Sequence, residues 1–558
     1  MRIISNNIDF DLPTGFAAEL SRYNVLLSDA GEQTAPITLP GTAHNLRLVG
    51  YSDRIDNVYK PLTDLDVTVI DGLFHRQCNL GIHTANAVDG ISCTIYLGTG
   101  EFYSKVGNTR LNWLGWPVWK SPTYDTQTLA QNVQYLINIL KAEYNTATTT
   151  SIFGIRPVVT TQEYTWIMNV KLPNGSAPDK EVPGLLVLNG FEKNQVELDL
   201  NGSEYIERFE GEFYQRMLIN EDTVPITLGY GMTPFLKLRY VLEFILGEFG
   251  YTFDMSDLTD LSPNFRDKTL LINNVADAIY SGILNIKQLV PDVTIKEFLI
   301  EIEKYYNGKF VFDYTTKISK FILYQNQLTA SADIDLSGYL TSTPKMGSSE
   351  FETVKITNTT SAKEEIETKE KVSTIAFELL GTVSVADNYR TNKDSFSSPL
   401  ILSMIPIGEI VHLNTSVVIA GKTVEENTKA SSLIKLFNIG DEWDMRSVSV
   451  TNAGYVNVYY RDAIQLFLYE FRDEFDEVVP PVTAINLFYT AYKEFKLNSN
   501  IPIEAEMNIP ASELERMDLH VPKILHGQPV MIESIKYALG KKGTQSVTMR
   551  TLRAYQER

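Results

Sequence analysis

Cysteine is nearly absent from this chain of 558 residues: Cys78 and Cys93 are the only two. A disulfide framework is therefore excluded as the source of stability, and a reducing compartment is the natural place of synthesis. Basic residues are also in deficit, with 49 Lys and Arg against 69 Asp and Glu and a formal charge of -20. That balance argues against a surface built to grip duplex nucleic acid, because such binding draws most of its affinity from cations neutralising phosphates. Long apolar runs are missing too. The opening Met1-Arg2-Ile3-Ile4-Ser5-Asn6-Asn7 holds no stretch long enough for a signal peptide, and nothing later is long enough to span a bilayer, so a soluble protein made in the cytoplasm is expected. Neither a Gly-x-Ser-x-Gly elbow nor a His-Glu-x-x-His motif occurs, and the expectation is a protein that is not an enzyme.

What the chain does contain is β-forming and aromatic residues. Tyrosine (29) and phenylalanine (26) are plentiful beside many Val, Ile and Thr, which favours strand over helix. At 44% hydrophobic, the length is too great for one ordinary core and implies three or four domains. The most informative pattern is a unit used twice, in which a capped helix, a glycine and a short aromatic strand ending in aspartate follow one another. The first runs from Thr233 to Asp254, with Thr233 as cap, Pro234 in the first turn, and Phe235, Leu238, Leu242, Ile245 and Phe249 as an apolar stripe before Gly250. The second starts at Thr294, carries Ile295, Phe298, Leu299, Ile302 and Tyr306, stops at Asn307-Gly308, and continues as Phe310, Phe312 and Asp313.

Around these units the pattern is that of strands. Leu65, Val67 and Val69 alternate with polar residues, Asp71-Gly72 marks a turn, and 73–83 and 91–97 continue an antiparallel meander. After Trp113, Trp116 and Trp119, a cap at Asp125 or Thr126 precedes a helix whose apolar face is Leu129, Val133, Leu136, Ile137 and Leu140. Pro173-Asn174-Gly175-Ser176-Ala177-Pro178 reads as a loop and Ser361 to Lys371 as an exposed polar one. Strands are expected at 401–407, 411–419 and 448–460, and a helix from Thr483 to Phe495 after Pro480-Pro481.

Several groupings suggest chemistry, and each has a blander reading that fits better. His75, Cys78, His83 and Cys93 are zinc-ligand types within a short span, but Cys78 and His83 differ by an odd number and face opposite sides of a regular strand. Gly229-Tyr230-Gly231 lacks the third glycine and the basic residue of a phosphate loop, and a tight turn fits better. Asp473, Glu474, Asp476 and Glu477 lack the spacing of a calcium loop and read as a solvated surface. The residues thus nominate no catalytic, cofactor-binding or metal site. Three tryptophans in seven residues would suit a sugar-stacking platform or a plug in a domain core.

Three stretches carry a family resemblance. They are Ile8-Asp9-Phe10-Asp11-Leu12-Pro13 with Pro36 to Asn45, Ile272-Asn273-Asn274 with Pro291-Asp292-Val293-Thr294, and His526-Gly527-Gln528-Pro529 with Ile532-Glu533-Ser534-Ile535-Lys536-Tyr537. Together they resemble the tail hub (baseplate hub) proteins of bacteriophages, especially tail-tip proteins of phages of gut Bacteroidetes. The resemblance implies an α+β, β-rich fold in which two tail-tube-like β-barrel domains bracket a mixed α/β insert. Residues 1–225 would form the first such domain with one packed helix. Residues 226–340 would form the insert with both helix-glycine-strand units. Residues 341–558 would form the second, with helix 483–495 and the closing hairpin. It implies a homotrimer in the virion tail tip that joins the tail tube or distal tail protein to a tip or spike protein, next to the tape measure protein. Genome DNA would pass through the ring without specific binding; the acidic charge would either repel it from the lumen or serve only the solubility of a large acidic protein. A distal tail or adaptor protein and a carbohydrate-binding receptor-recognition protein are the alternatives. Ile535→Asp in the closing hairpin is then expected to block assembly.

Overall fold

The fold is that of a computed structural model which describes residues 1–28, 32–51, 54, 64–145, 152–154, 229–261, 269–313, 315–348, 411–413, 488–498, 501–541 and 543–552, with short strand pieces at 158–159, 187–188, 216–219, 222–225, 354–355, 373–374, 405–406, 418–419, 422–423, 435–438, 443–444, 459–460, 471–472 and 478–479. The alternating segments form strands as their period demands. Asp64–Asp71, Phe74–Asn86 and Gly90–Leu97 pair as an antiparallel meander, in register from Asp64 opposite Gly81 to Asp71 opposite Phe74. Gly72, at a φ of 62°, turns the first pair. Asn6 and Asn7 both adopt positive φ and make the tight turn between Arg2–Ser5 and Ile8–Asp9.

This meander belongs to a thirteen-stranded sheet whose pairings are all antiparallel. Its order unites the two ends of the chain, because Ala18–Tyr23 pairs with Gln528–Leu539, from Ala18 opposite Leu539 to Tyr23 opposite Ser534. Gln528–Leu539 in turn pairs with Gln545–Thr551, and that strand with Pro502–Met507. Among the described residues the sheet stays open, running from Ile8–Asp9 at one end to Lys345–Met346 at the other. Separate apolar cores lie against its amino-terminal strands, around Ile3, Leu20, Val69, Leu80 and Ile95, and its carboxyl-terminal strands, around Ile503, Met507, Ile532, Ile535 and Met549. A β-rich α+β fold is the result.

A third core holds most of the helices. Leu129–Asn145, Leu238–Glu248 and Ile295–Tyr306 pack their apolar stripes with Phe102, Phe310, Phe312 and Phe321. Both helix-glycine-strand units feed one three-stranded sheet, in which Thr252–Asp254 and Gly308–Asp313 lie on either side of Ile318–Leu323. The second unit follows the sequence closely. Thr294 and Glu297 form a reciprocal capping box, and Asn307 takes the left-handed conformation at a φ of 47°. Gly308 has a different job: a Cβ there would sit 2.6 Å from the Ile322 carbonyl oxygen and 2.4 Å from the Phe321 ring.

The first unit differs from the expectation at its start. Phe235–Lys237 is a strand, paired with Phe153–Gly154 and Thr269–Ile272, and the helix begins at Leu238. All three residues of that strand are buried, and two flanking strands satisfy more of their backbone than a first helical turn would. Thr233 is consequently no cap, and its hydroxyl donates to Asn273 Oδ1 at 2.9 Å. Gly250, at a φ of 77°, does end the helix. The Leu129 helix is capped by Thr128 and Gln131 reciprocally, rather than by Asp125 or Thr126, which lie in a preceding 3-10 turn. Toward the carboxyl end the described helix is Thr490–Asn498, with Phe488, Tyr489, Tyr492 and Phe495 buried; residues 483–487 lie outside the described residues. The loop at 173–178, the polar stretch 361–371, the acidic run 473–477 and most of the strands expected in 401–460 also lie outside them. No helix of the described residues is long and apolar enough to cross a membrane.

Candidate functional site: the seam between the two chain ends

Ala18, Leu20 and Arg22 share the inward face of their strand, so strand alternation alone puts a guanidinium where apolar side chains belong. A buried cation must be paired and hydrogen-bonded to persist there. Arg22 is paired with nearby Glu32 and hydrogen-bonded to carbonyls of the opposite chain end. Its Nε lies 2.9 Å from Glu32 Oε1, Nη1 donates to the Leu514 carbonyl at 2.6 Å, and Nη2 donates to the Met517 carbonyl at 3.3 Å. Burial works to lower the Arg22 pKa, yet the charge of Glu32 prevails and holds it above its ordinary value. Burial likewise works to raise the Glu32 pKa, and the Arg22 charge and hydrogen bond hold it below the usual carboxylate range. Both shifts state that the pair is more stable charged than neutral.

Asn24, two residues on and fully buried, adds a second tie. Its Nδ2 donates to the carbonyls of Leu519 (2.7 Å) and Ile532 (3.0 Å), and its Oδ1 accepts from Leu26 N. Arg76, from the meander, reaches the same segment and bridges Glu515 at 3.2 Å. Lys523 has no exposed surface; its ammonium contacts Asp333 at 2.8 Å and donates to the carbonyls of Asp518 and Val521. His520 Nδ1 lies 2.8 Å from Asp518 Oδ1. Burial opposes ionisation of Asp518, but this bond and the nearby cations hold its pKa at about 2. Tyr537 Oη and His520 Nε2 are buried and make no hydrogen bond to protein, and burial pushes the Tyr537 hydroxyl pKa up. The seam thus carries a charged network directed mainly at backbone carbonyls of 514–532, which is the chemistry of a fastening.

The residues of the family resemblance take similar parts. Asn45 is fully buried; its Oδ1 accepts from Asp11 N (2.8 Å) and its Nδ2 donates to the carbonyls of Asp11 (3.0 Å) and Pro40 (2.9 Å). Thr42 caps the Ala43–Leu48 helix and donates to Asp11 Oδ2, while His44 Nε2 lies 2.8 Å from the Asp9 carbonyl oxygen. Asn273 binds Thr233, Pro234 and Val275, and Asp292 holds Arg110 and Asn112.

The groupings that suggested chemistry are dispersed. Cys78 and Cys93 lie in the amino-terminal apolar core, His75 is exposed, and His83, at a bulge, has Nε2 2.8 Å from Thr94 Oγ1. Among the described residues no cluster of three or more His, Cys, Asp or Glu side chains is placed to hold a metal ion. Burial pushes each cysteine thiol up to about 12. Gly229 and Gly231 both have positive φ and turn the chain, with Tyr230 buried between them and no helix starting before Leu238. The tryptophans do not share a platform. Trp116 is buried and stacks on Phe244 at 4.0 Å between ring centroids, Trp119 meets Phe153 edge-on, and Trp113 is 65% exposed.

Sequence reasoning passed over Arg22, Asn24, Glu32, Arg76, Glu515 and Lys523. The one local signal was the position of Arg22 in the Ala18-Leu20-Arg22 alternation. The sequence matches no family model, and no curated protein matches it.

Proposed function

We propose that this chain is a structural tail hub protein of a bacteriophage, a non-enzymatic homotrimer that links the tail tube to the tip or spike and forms part of the DNA channel. The observation that carries the reading is the direct pairing of Ala18–Tyr23, near the amino end, with Gln528–Leu539, near the carboxyl end. That pairing joins two of the three family-like stretches in one antiparallel sheet, fastened by Arg22, Asn24 and Arg76. A protein under tension between tube and tip is served by a sheet that locks both chain ends side by side. In this reading two tube-like β domains bracket the 226–340 insert. The tube or distal tail protein, the tape measure protein and the tip protein are its neighbours, and the formal charge of -20 keeps passing DNA from adhering.

Ile535 is fully buried, so Ile535→Asp tests folding rather than assembly; exposed positions such as Lys536 are the ones to vary for assembly. The experiment is immunogold labelling of intact virions with antibody raised against this chain. Label confined to the tail tip supports the proposal, and virions that carry no label anywhere refute it. Trp113, with its indole exposed, favours the carbohydrate-binding alternative, which a glycan array comparing wild type with Trp113→Ala distinguishes.

A further inference from the structure

Residues 411–413 are fixed to the 274–277 segment and the Tyr230 turn by polar contacts. Val411 N donates to the Asn274 carbonyl (2.9 Å), Ala276 N donates to the Val411 carbonyl (3.0 Å), and Leu413 N donates to both carboxylate oxygens of Asp277 (2.9 and 3.1 Å). Between them His412, only 4% exposed, lies parallel to the Tyr230 ring at an interplanar angle of 9°, with Nε2 2.9 Å from the Tyr230 hydroxyl. Tyr230 and Asp277 are themselves buried, and the Tyr230 turn is tied to the 276 segment by Gly231 N donating to the Ala276 carbonyl at 2.7 Å.

We propose that His412 is an acid-operated latch, which holds residues 411–413 against the Tyr230 turn and the 274–277 segment when neutral and releases them when protonated. Among the described residues, the titratable groups facing the imidazole are Tyr230 from the turn and Asp277 from the 274–277 segment; Val411 and Leu413 on its own segment bring no charge. Protonation makes both ring nitrogens donors, so the Nε2–Tyr230 contact survives only with the hydroxyl oxygen as acceptor, and a cation is placed in a buried site. Asp277 favours that cation, but its carboxylate already accepts two bonds from Leu413 N. Burial is the larger influence and holds the His412 pKa below its ordinary 6.5. With the folded pKa depressed, the latch contributes fully above the unfolded value and loses its hold as pH falls from there through the folded value. The inference is independent of the hub reading.

The test is hydrogen exchange of the full chain between pH 7.5 and pH 5, corrected for intrinsic exchange and read at the Val411 and Leu413 amides. In wild type, opening of these amides should increase as pH falls below the ordinary histidine value, with a slope of at most about tenfold per pH unit, the limit for uptake of one proton. His412→Gln, which keeps hydrogen-bonding capacity without a titrating ring, should flatten that dependence. Tyr230→Phe keeps the stacked ring but removes the partner of the neutral imidazole, and should make the dependence shallower. It serves as the deciding variant if His412→Gln loses protection in the Ile295–Tyr306 helix and is therefore misfolded. A flat profile in wild type, or an unaltered profile in the deciding variant, overturns the proposal.

Discussion

Replacing Arg22 with alanine removes one partner of an ion pair and two donors to backbone carbonyls in a single step. Breaking a buried pair in this way costs about 3–5 kcal/mol, because the remaining charge is left without compensation. Glu32 keeps 22% of its side chain in solvent, which places the effect at the low end, about 3 kcal/mol. Every 1.4 kcal/mol is a factor of ten, so local opening of the seam should rise by roughly two decades. A global unfolding curve suits this poorly, since a chain of several domains need not unfold in two states. Hydrogen exchange of peptides covering Ala18–Tyr23 and Gln528–Leu539 reads the seam directly, with the Ile295–Tyr306 helix as the internal control. The double variant Arg22→Met, Glu32→Leu should recover most of the loss, because apolar replacement of a whole buried pair is often neutral or stabilising. The pH dependence has a defined sign. The folded pKa of Glu32 is depressed, so the pair contributes fully above the ordinary carboxylate value of 4.5 and loses its contribution as pH falls through the folded value. The double variant should lack that component. Seam exchange in Arg22→Ala within about threefold of wild type, below 1 kcal/mol on the same scale, would refute the reasoning.

Three further predictions concern the rest of the sheet and the insert. Asn45→Ala leaves the Asp11 amide and the Asp11 and Pro40 carbonyls without their partner, and should destabilise the amino-terminal core by about 1–3 kcal/mol, seen as exchange in Ile37–Leu39 and Ala43–Leu48. Cys78 and Cys93, buried and with thiols pushed up to about 12, should resist alkylation at pH 8 in the native protein and react once denaturant opens the sheet; fast native labelling of either would contradict their placement. Thr294→Ala removes the capping box of the Ile295–Tyr306 helix and should cost about 1 kcal/mol, measured as increased exchange in its first turn. In wild type the backbone and side-chain bonds from Thr294 depress the Glu297 pKa, so this cap should weaken as pH falls below 4.5 through the folded value.

How much of this was legible depended on the range of the interactions. The second helix-glycine-strand unit was readable because its determinants are local: Thr294 with Glu297, a stripe at spacings of three and four, and Asn307 at the end. In the first unit the same signals place the helix start wrongly, because strands at Phe153–Gly154 and Thr269–Ile272, distant in sequence, claim Phe235–Lys237. Gly308 illustrates a role that no local pattern reveals, since its constraint comes from the ring of Phe321 on the neighbouring strand. The meander from Asp64 to Leu97 was legible through its period of two. The seam was not, because the carbonyls that Arg22 and Asn24 bind are those of Leu514, Met517, Leu519 and Ile532, nearly the whole chain away. The three tryptophans looked like one feature in sequence, and packing against Phe244 and Phe153 separates them.

Electron microscopy of the purified chain over a wide concentration range, alone and mixed with the tail-tube protein that the hub proposal assigns to it, tests the central claim most directly. The hub account predicts threefold rings with an open centre. Single copies at every concentration, with no ring formed even when the tube protein is present, would contradict it.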